Sequence, residues 1–289
     1  MSAKFYMNKS NLNFYLNELA KEIKKSYGRN FETEIIIVGG GAIMTNYSFR
    51  DMTADIDAII RANARIKDVI YKVADKYNLP NDWLNSDFMS TESYSSKLIE
   101  VSKYYKSFGN GTLSVRIVDA EYLIAMKLRS FRPYKKDLSD TVGLIMEHKI
   151  NGYPLTEETI VSAYKKLYNC DLPDKVSEFL KEVLATENLE ELYNKVVTQE
   201  EFNKERLVSF EEKYPNALNE NNLEEILAKL QSDVDETPAP TDDSKGYEHK
   251  DSSSTLDYES IAKNPSLLGT VVDGDDDPDP TPNIDKSDT

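Results

Sequence analysis

The sequence is short of the residues that most often build reactive sites. Its single cysteine, Cys170, excludes an internal disulfide. The two histidines, His148 and His249, stand too far apart in sequence to form a Cys/His zinc cluster, and triads that need a histidine beside Ser or Cys are disfavoured with them. Long apolar runs are missing too. No stretch approaches the roughly 18 apolar residues of a membrane helix, and the N-terminal "MSAKFYMNKSNLNFYLNELAKEIKK" lacks the uninterrupted apolar centre of a signal peptide. A cytoplasmic protein with no membrane partner is expected.

Basic residues are scarce chiefly at one end. From Asp233 onward there are 16 acidic residues against 4 lysines, a net charge of -12, which leaves only -4 of the total -16 for residues 1–232. This end is also poor in large apolar side chains and rich in Asp, Ser, Thr and Pro, so it cannot bury enough surface to offset the entropy of ordering. A disordered acidic tail is expected over residues 233–289. Its "DGDDDPDP" is no helix-loop-helix calcium loop, because Pro278 stands where glycine is required and Ile284 where the bidentate glutamate belongs.

What the chain does have is a body that is 39% hydrophobic, enough to bury a core. Apolar residues from Leu12 to Tyr27 recur at three- and four-residue spacing, which predicts a helix ending near Gly28. "EIIIV" reads as a buried strand, "AIMTNYSF" as a brief helix, "DIDAII" as a second strand and "IKDVIYKVADKYNL" as a helix. "SKLIEVSKYYKSFG" and "NGTLSVRIV" predict two strands meeting at Asn110-Gly111, with Asp119 as N-cap of the helix "AEYLIAMKLRSF". From Asp137 to about Leu230 the pattern is helical, broken near Gly152, Asp171 and Pro215. The fold class is therefore α+β with an α/β-type core: a small mixed sheet with flanking helices (1–150), a helical C-terminal unit (151–232) and the acidic tail (233–289).

The chemistry concentrates in "EIIIVGGGAIMTNYSFRDMTADIDAII", Glu34 to Ile60. Glycines after a buried strand permit a tight turn into a helix whose N–H groups can cradle a phosphate. A Walker loop is excluded, since no Gly-Lys-Ser/Thr follows. The dinucleotide fingerprint fails because Met44 holds its third glycine position and the acids open the second strand instead of closing it. Asp55 and Asp57 are two residues apart on a strand, so their carboxylates share a face, the arrangement a magnesium-bound phosphoryl-transfer site requires. The plainer alternative is a solvated strand start. Lys127 interrupts a largely apolar helix surface: buried, it needs an anionic partner, either Asp137 or a bound phosphate, and the plainer alternative is a lysine snorkelling at the edge of the core.

This order of strand, glycines, short helix, Arg, Thr and Asp-Ile-Asp resembles the nucleotidyltransferase superfamily that includes DNA polymerase beta. It looks especially like minimal bacterial nucleotidyltransferase-like proteins related to AbiEii-type toxins of toxin-antitoxin systems. "LPNDWLN", which reads as a connecting segment, is similar to their connector, and "VDAEYLIAMKLRSFRPYKKDLSDTVGLI" to a later segment, so the resemblance covers roughly residues 10 to 150. It implies that Gly39 and Gly40 form the phosphate-binding turn, that Asp55 and Asp57 bind Mg2+, and that Arg50 neutralises a triphosphate while Thr53 braces its loop. It further implies catalytic roles for Asp55, Asp57, Lys127 and Asp137. The implied reaction moves a nucleoside monophosphate from a nucleoside triphosphate to a hydroxyl of RNA, such as a transfer RNA end, or of a protein, with an antitoxin as a further partner. Two departures stand out: Gly41 occupies a position where many active members have Ser, and the nearest candidate for a third carboxylate is Glu100. They leave open a catalytically degenerate protein that binds nucleotide or a partner protein.

Overall fold

The computed structural model describes residues 5–62, 64, 66–219 and 222–235, with side chains to 230 in the last helix. The tail expectation therefore lies outside the described residues from 236 on.

The strands are β1 (Met7–Asn8), β2 (Thr33–Ile37), β3 (Met52–Thr53), β4 (Ile56–Ala62), β5 (Leu84–Asn85), β6 (Ser102–Phe108) and β7 (Leu113–Val118). Five form one mixed sheet in the order β5-β4-β2-β7-β6, and β1 pairs with β3 beside it. Strand β2 is antiparallel to β4 and parallel to β7, with Ile37 opposite Ala58 on one side and Ile117 on the other. Ile35, Ile36 and Ile37 are all fully buried, so the apolar run reflects a central strand covered on both faces.

Helix α1 (Lys9–Tyr27) starts at a reciprocal cap: Asn8 Oδ1 accepts from Asn11 N–H, and Asn11 Oδ1 accepts from Asn8 N–H. It ends as expected at Gly28, where φ is +92°. Leu12, Leu16, Leu19 and Ile23 form its buried stripe. The link between β2 and β4 is α2 (Gly39–Asn46), and β4 leads into α3 (Lys67–Tyr77). Glu18 of α1 ties these layers together, accepting from Lys21, from Lys76 of α3 and from the Tyr77 hydroxyl. Hydrogen bonds from Lys21, Tyr77 and Lys76 hold its carboxyl at about 2, well below the usual range.

Two local expectations change. The "LPNDWLN" connector supplies strand β5, because Trp83 is fully buried and its carbonyl accepts from Ile56 N–H at 2.9 Å. The first half of the expected strand "SKLIEV" is instead a single helical turn, α4 (Leu98–Val101), which leaves Glu100 exposed. Asp119 precedes α5 (Ala120–Ser130) as expected, yet its carboxylate pairs with Lys103 at 2.6 Å and makes no capping bond.

Helices α6 (Asp137–Ile150), α7 (Glu157–Tyr168), α8 (Asp174–Ala185), α9 (Leu189–Lys213) and α10 (Leu223–Asp235) complete the described chain. Compactness divides it after Glu205. In the first unit Ile160, Tyr164 and Leu167 of α7 and Val176, Leu180 and Val183 of α8 join the hydrophobic cluster that covers the sheet. The helices expected to begin a separate unit at 151 thus share the core of the sheet. In the second unit Glu211 accepts from Asn216 and Leu218 N–H groups, closing the turn before α10.

Candidate active site

The site begins where β2 ends. Val38 is extended and donates its N–H to Asp57 O at 3.0 Å, so the β2–β4 ladder carries to the edge of the sheet before the chain turns into α2. The helix starts at Gly39, three residues before the expected "AIMTNYSF", and the glycines themselves form its first turn. Their N–H groups precede the first intrahelical bond, Ala42 N–H to Val38 O.

Each glycine answers a different contact. Gly39 has φ of +54°, and a Cβ there would stand 3.4 Å from Asp57 Oδ2. A Cβ on Gly40 would lie 2.7 Å from Arg50 Cζ and 2.9 Å from Thr53 Oγ1, so only glycine lets this guanidinium approach the turn. A Cβ on Gly41 would press on Ile56 Cδ1 at 3.0 Å and Ile37 Cγ2 at 3.1 Å. Local packing therefore disfavours a serine at Gly41.

Asp57 lies in β4, while Asp55 sits in the bend just before it. Ile56 between them is fully buried and both aspartates are half-buried, so the expected alternation holds. Burial, together with the charge of Asp55, pushes the Asp57 carboxyl up to about 6, although Lys127 and Arg132 pull it down. Burial and the charge of Asp82 also raise Asp55, against Arg50 and a hydrogen bond from Asn85.

Behind this pair lies a denser ionic cluster. Lys127 of α5 is 13% exposed and bonds both Asp137 Oδ1 at 3.0 Å and Asp140 Oδ2 at 2.9 Å. Arg132 Nε meets Asp137 Oδ2 at 2.7 Å, and Arg50 Nη1 meets Asp140 Oδ2 at 2.5 Å. Three cations thus face two buried carboxylates. Burial alone would raise Asp137, but the charges of Lys127 and Arg132 outweigh it and hold the carboxyl below its usual range. Burial alone would lower Lys127, and Asp140 and Asp137 reverse that.

Helix α6 organises this cluster along one face. Asp140 holds Arg50, Gly143 admits the Phe49 ring, and Glu147 Oε2 accepts from Ser48 N–H at 2.8 Å and from Ser48 Oγ at 3.0 Å. The spacing of three and four residues lets a single helix grip the whole 48–50 loop. The N-terminus of α6 is in turn capped by Glu200, whose Oε1 accepts from Leu138 N–H at 2.8 Å and Ser139 N–H at 3.2 Å. Its Oε2 is buried without a hydrogen-bond partner among the described residues, and burial pushes the Glu200 carboxyl up to about 7.

The structure brings Gly39, Gly40, Arg50, Asp55, Asp57, Lys127 and Asp137 into one neighbourhood. Glu100 is not part of it: it sits exposed on α4 and supplies no third carboxylate. Sequence reasoning missed Asp140, Glu147 and Glu200. Asp140 was detectable, because "DLSD" puts it one helical turn beyond Asp137. Glu200 left no local signal, since it lies more than 60 residues from the helix end it caps.

Among the described residues no group of three or more His, Cys, Asp or Glu side chains is arranged to hold a metal. Magnesium does not require one, because it commonly takes one or two carboxylates together with waters and substrate phosphates. Two half-buried carboxylates, both raised by burial and one of them, Asp57, also by the charge of the other, fit that demand.

Residues 15–152 match a family model described as a nucleotidyltransferase of unknown function (DUF6036). The match supports a nucleotidyltransferase-like family for the stretch holding every residue of the site except Glu200. No curated protein and no solved structure matches the chain. No helix among the described residues is long and apolar enough to cross a membrane.

Proposed function

We propose that the 15–152 stretch performs magnesium-dependent nucleotidyl transfer. The observation that carries this reading is the closeness of Gly39, at the opening of α2, to the Asp57 carboxylate, such that a Cβ there would stand 3.4 Å from Oδ2, with Asp55 raising the proton affinity of Asp57. The N–H groups of Gly39 and Gly40 hold the phosphates of a nucleoside triphosphate, with Arg50 and Thr53 above Gly40 fixing their orientation. Asp55 and Asp57 would hold Mg2+, which when bound supplies charge neutralisation at the phosphates. The acceptor hydroxyl oxygen bonds the α-phosphorus and the bond to the bridging oxygen breaks. Pyrophosphate leaves with that electron pair, and the hydroxyl proton passes to solvent. Lys127, Arg132 and Arg50 together outnumber Asp137 and Asp140 by one charge, and Lys127 and Arg132 act on Asp57. The toxin-antitoxin role rests on the resemblance alone and enters no step.

The test is to incubate the protein with each α-labelled nucleoside triphosphate, magnesium and a panel of hydroxyl acceptors. Label should move to an acceptor with wild type and fail to move with Asp57→Asn. A second reading, nucleotide binding without transfer, is favoured by one observation: Lys127 and Arg50 are already paired with Asp137 and Asp140. It is the outcome if magnesium and nucleotide stabilise the wild type while no acceptor is labelled.

A further inference from the structure

The stretch matched by the family model stops at residue 152, yet a helix well beyond it reaches back to the site. Leu189, Tyr193, Val196, Glu200 and Asn203 of α9 follow one another at spacings of three and four, which puts them on one stripe of the helix. The first three pack with the hydrophobic cluster. Glu200 and Asn203 continue the stripe as polar residues that are nonetheless buried, so each requires a partner.

Those partners lie on the segments that carry the cations of the site. Tyr193 sets its ring edge-on to Phe49, 5.8 Å between centroids, and its hydroxyl donates to Phe49 O at 3.4 Å, one residue before Arg50. Glu200 takes the Leu138 and Ser139 N–H groups, which lie between Asp137 and Asp140 in the chain. Asn203 Nδ2 donates to Pro133 O at 2.8 Å, one residue after Arg132. Three side chains of one helix thus fix the backbone beside Arg50, beside the carboxylates that hold Arg50 and Lys127, and beside Arg132.

The cap from Glu200 is the telling contact. Lys136, which precedes α6, makes no side-chain cap of its own, so the first turn of that helix depends on a residue more than 60 positions away. A carboxylate is a costly choice there, because it is buried, Asp140 acts on it with like charge, and its Oε2 has no partner among the described residues. Its charge also opposes the attraction of Arg50 and Lys127 for a phosphate. We infer that α9 belongs to the framework of the active site, with Glu200 a positioning residue for Arg50: the cap fixes the first turn of α6, that turn aims Asp140, and Asp140 together with the loop braced by Tyr193 holds the guanidinium beside Gly40, where it meets the phosphates of a nucleotide. The effect on nucleotide rests on the transfer reading above; the hold on the 48–53 loop does not.

Calorimetric titration of the full chain with magnesium-ATP, beside hydrogen–deuterium exchange without nucleotide, tests this on Glu200→Met, Glu200→Gln, Tyr193→Ala and Glu201→Gln, the last on an exposed neighbour. Glu200→Met keeps the length of the side chain and removes both acceptors, whereas Glu200→Gln removes the charge and keeps one acceptor for the two N–H groups. Loss of a negative charge by itself predicts tighter magnesium-ATP binding in both. The brace predicts opposite signs: Glu200→Met should bind about tenfold more weakly and Tyr193→Ala about threefold, while Glu200→Gln and Glu201→Gln bind at least as tightly as wild type. Residues 48–53 should also exchange faster in Glu200→Met and Tyr193→Ala under conditions where β2 and β7 keep their protection. Binding by Glu200→Met as tight as that of Glu200→Gln would overturn the proposal, and so would unchanged exchange over 48–53. Should Glu200→Met lose protection in β2 and β7 as well, Tyr193→Ala decides by the same two readouts. Absence of magnesium-ATP binding by the wild type would instead break the transfer reading, and the exchange over 48–53 then decides the brace alone.

Discussion

Two pairs of aspartates stand side by side in this molecule, and they meet opposite electrostatic fates. Asp137 and Asp140 are three residues apart on a helix, almost fully buried, and saturated by Lys127, Arg132 and Arg50. Asp55 and Asp57 are two residues apart at a strand start, half-buried, with no direct ion pair among the described residues and with carboxyls held above their usual range. The protein has supplied cations to the pair that sets its architecture and withheld them from the pair at the glycine turn. On the magnesium reading proposed above, a cation added from outside is expected at the second pair.

The contrast predicts mutations of graded size. Lys127→Met strands two buried carboxylates that only Arg132 and Arg50 still reach, and should destabilise the fold by roughly 3–5 kcal/mol in denaturant titration. A loss below about 1 kcal/mol would mean the helical pair is not an architectural ion cluster. Glu200→Gln comes next. The folded carboxyl titrates near 7 against an unfolded value near 4.5, so its stabilising protonated form is complete below the unfolded value and lost as pH rises through about 7. Wild-type stability should therefore decline from about pH 5 to 7.5, by on the order of 2 kcal/mol, and the variant should flatten that decline. Asp57→Asn relieves repulsion in the other pair and should raise apo stability by about 1–2 kcal/mol near neutral pH while abolishing the thermal shift with magnesium and nucleotide. An equal shift in the variant sinks the metal assignment. Arg132→Gln, smallest of the four, leaves Asp137 its bond to Lys127 and removes a partner that is 31% exposed, so about 1 kcal/mol or less is expected.

The half of the site that is local in sequence was legible before any coordinates. Strand, glycine turn and alternating aspartates lie within Glu34 to Ile60, and period-two spacing alone puts both carboxylates on one side of the buried Ile56. Lys127 was found as an interruption of an apolar surface, and one of the two partners considered for it, Asp137, is a real contact. Glu200 and Glu147 could not be read, because each acts on a segment 60 or more residues away through backbone N–H groups that carry no sequence signature. Strand β5 was missed for a related reason: two residues are too few to show alternation, and tertiary burial of Trp83 is what holds them in the sheet. "SKLIEV" has strand-like composition, yet Leu98 and Val101 are both buried at a spacing of three, which a helical turn satisfies and a strand does not.

Trp83 carries a consequence of an optical kind. It is the chain's one tryptophan, fully buried, set between Asp82 and Leu84, and bonded through its ring to the carbonyl of Ile70 on α3. Excited at the red edge of the ultraviolet band, where the 18 tyrosines absorb little, the protein therefore emits from a single indole mounted beneath the β4–β5 edge. It should peak at short wavelength, resist quenching by acrylamide, and change in intensity when the connector shifts. No dye or label is required, and a stopped-flow fluorimeter would time such a shift at that edge independently of any chemistry that follows.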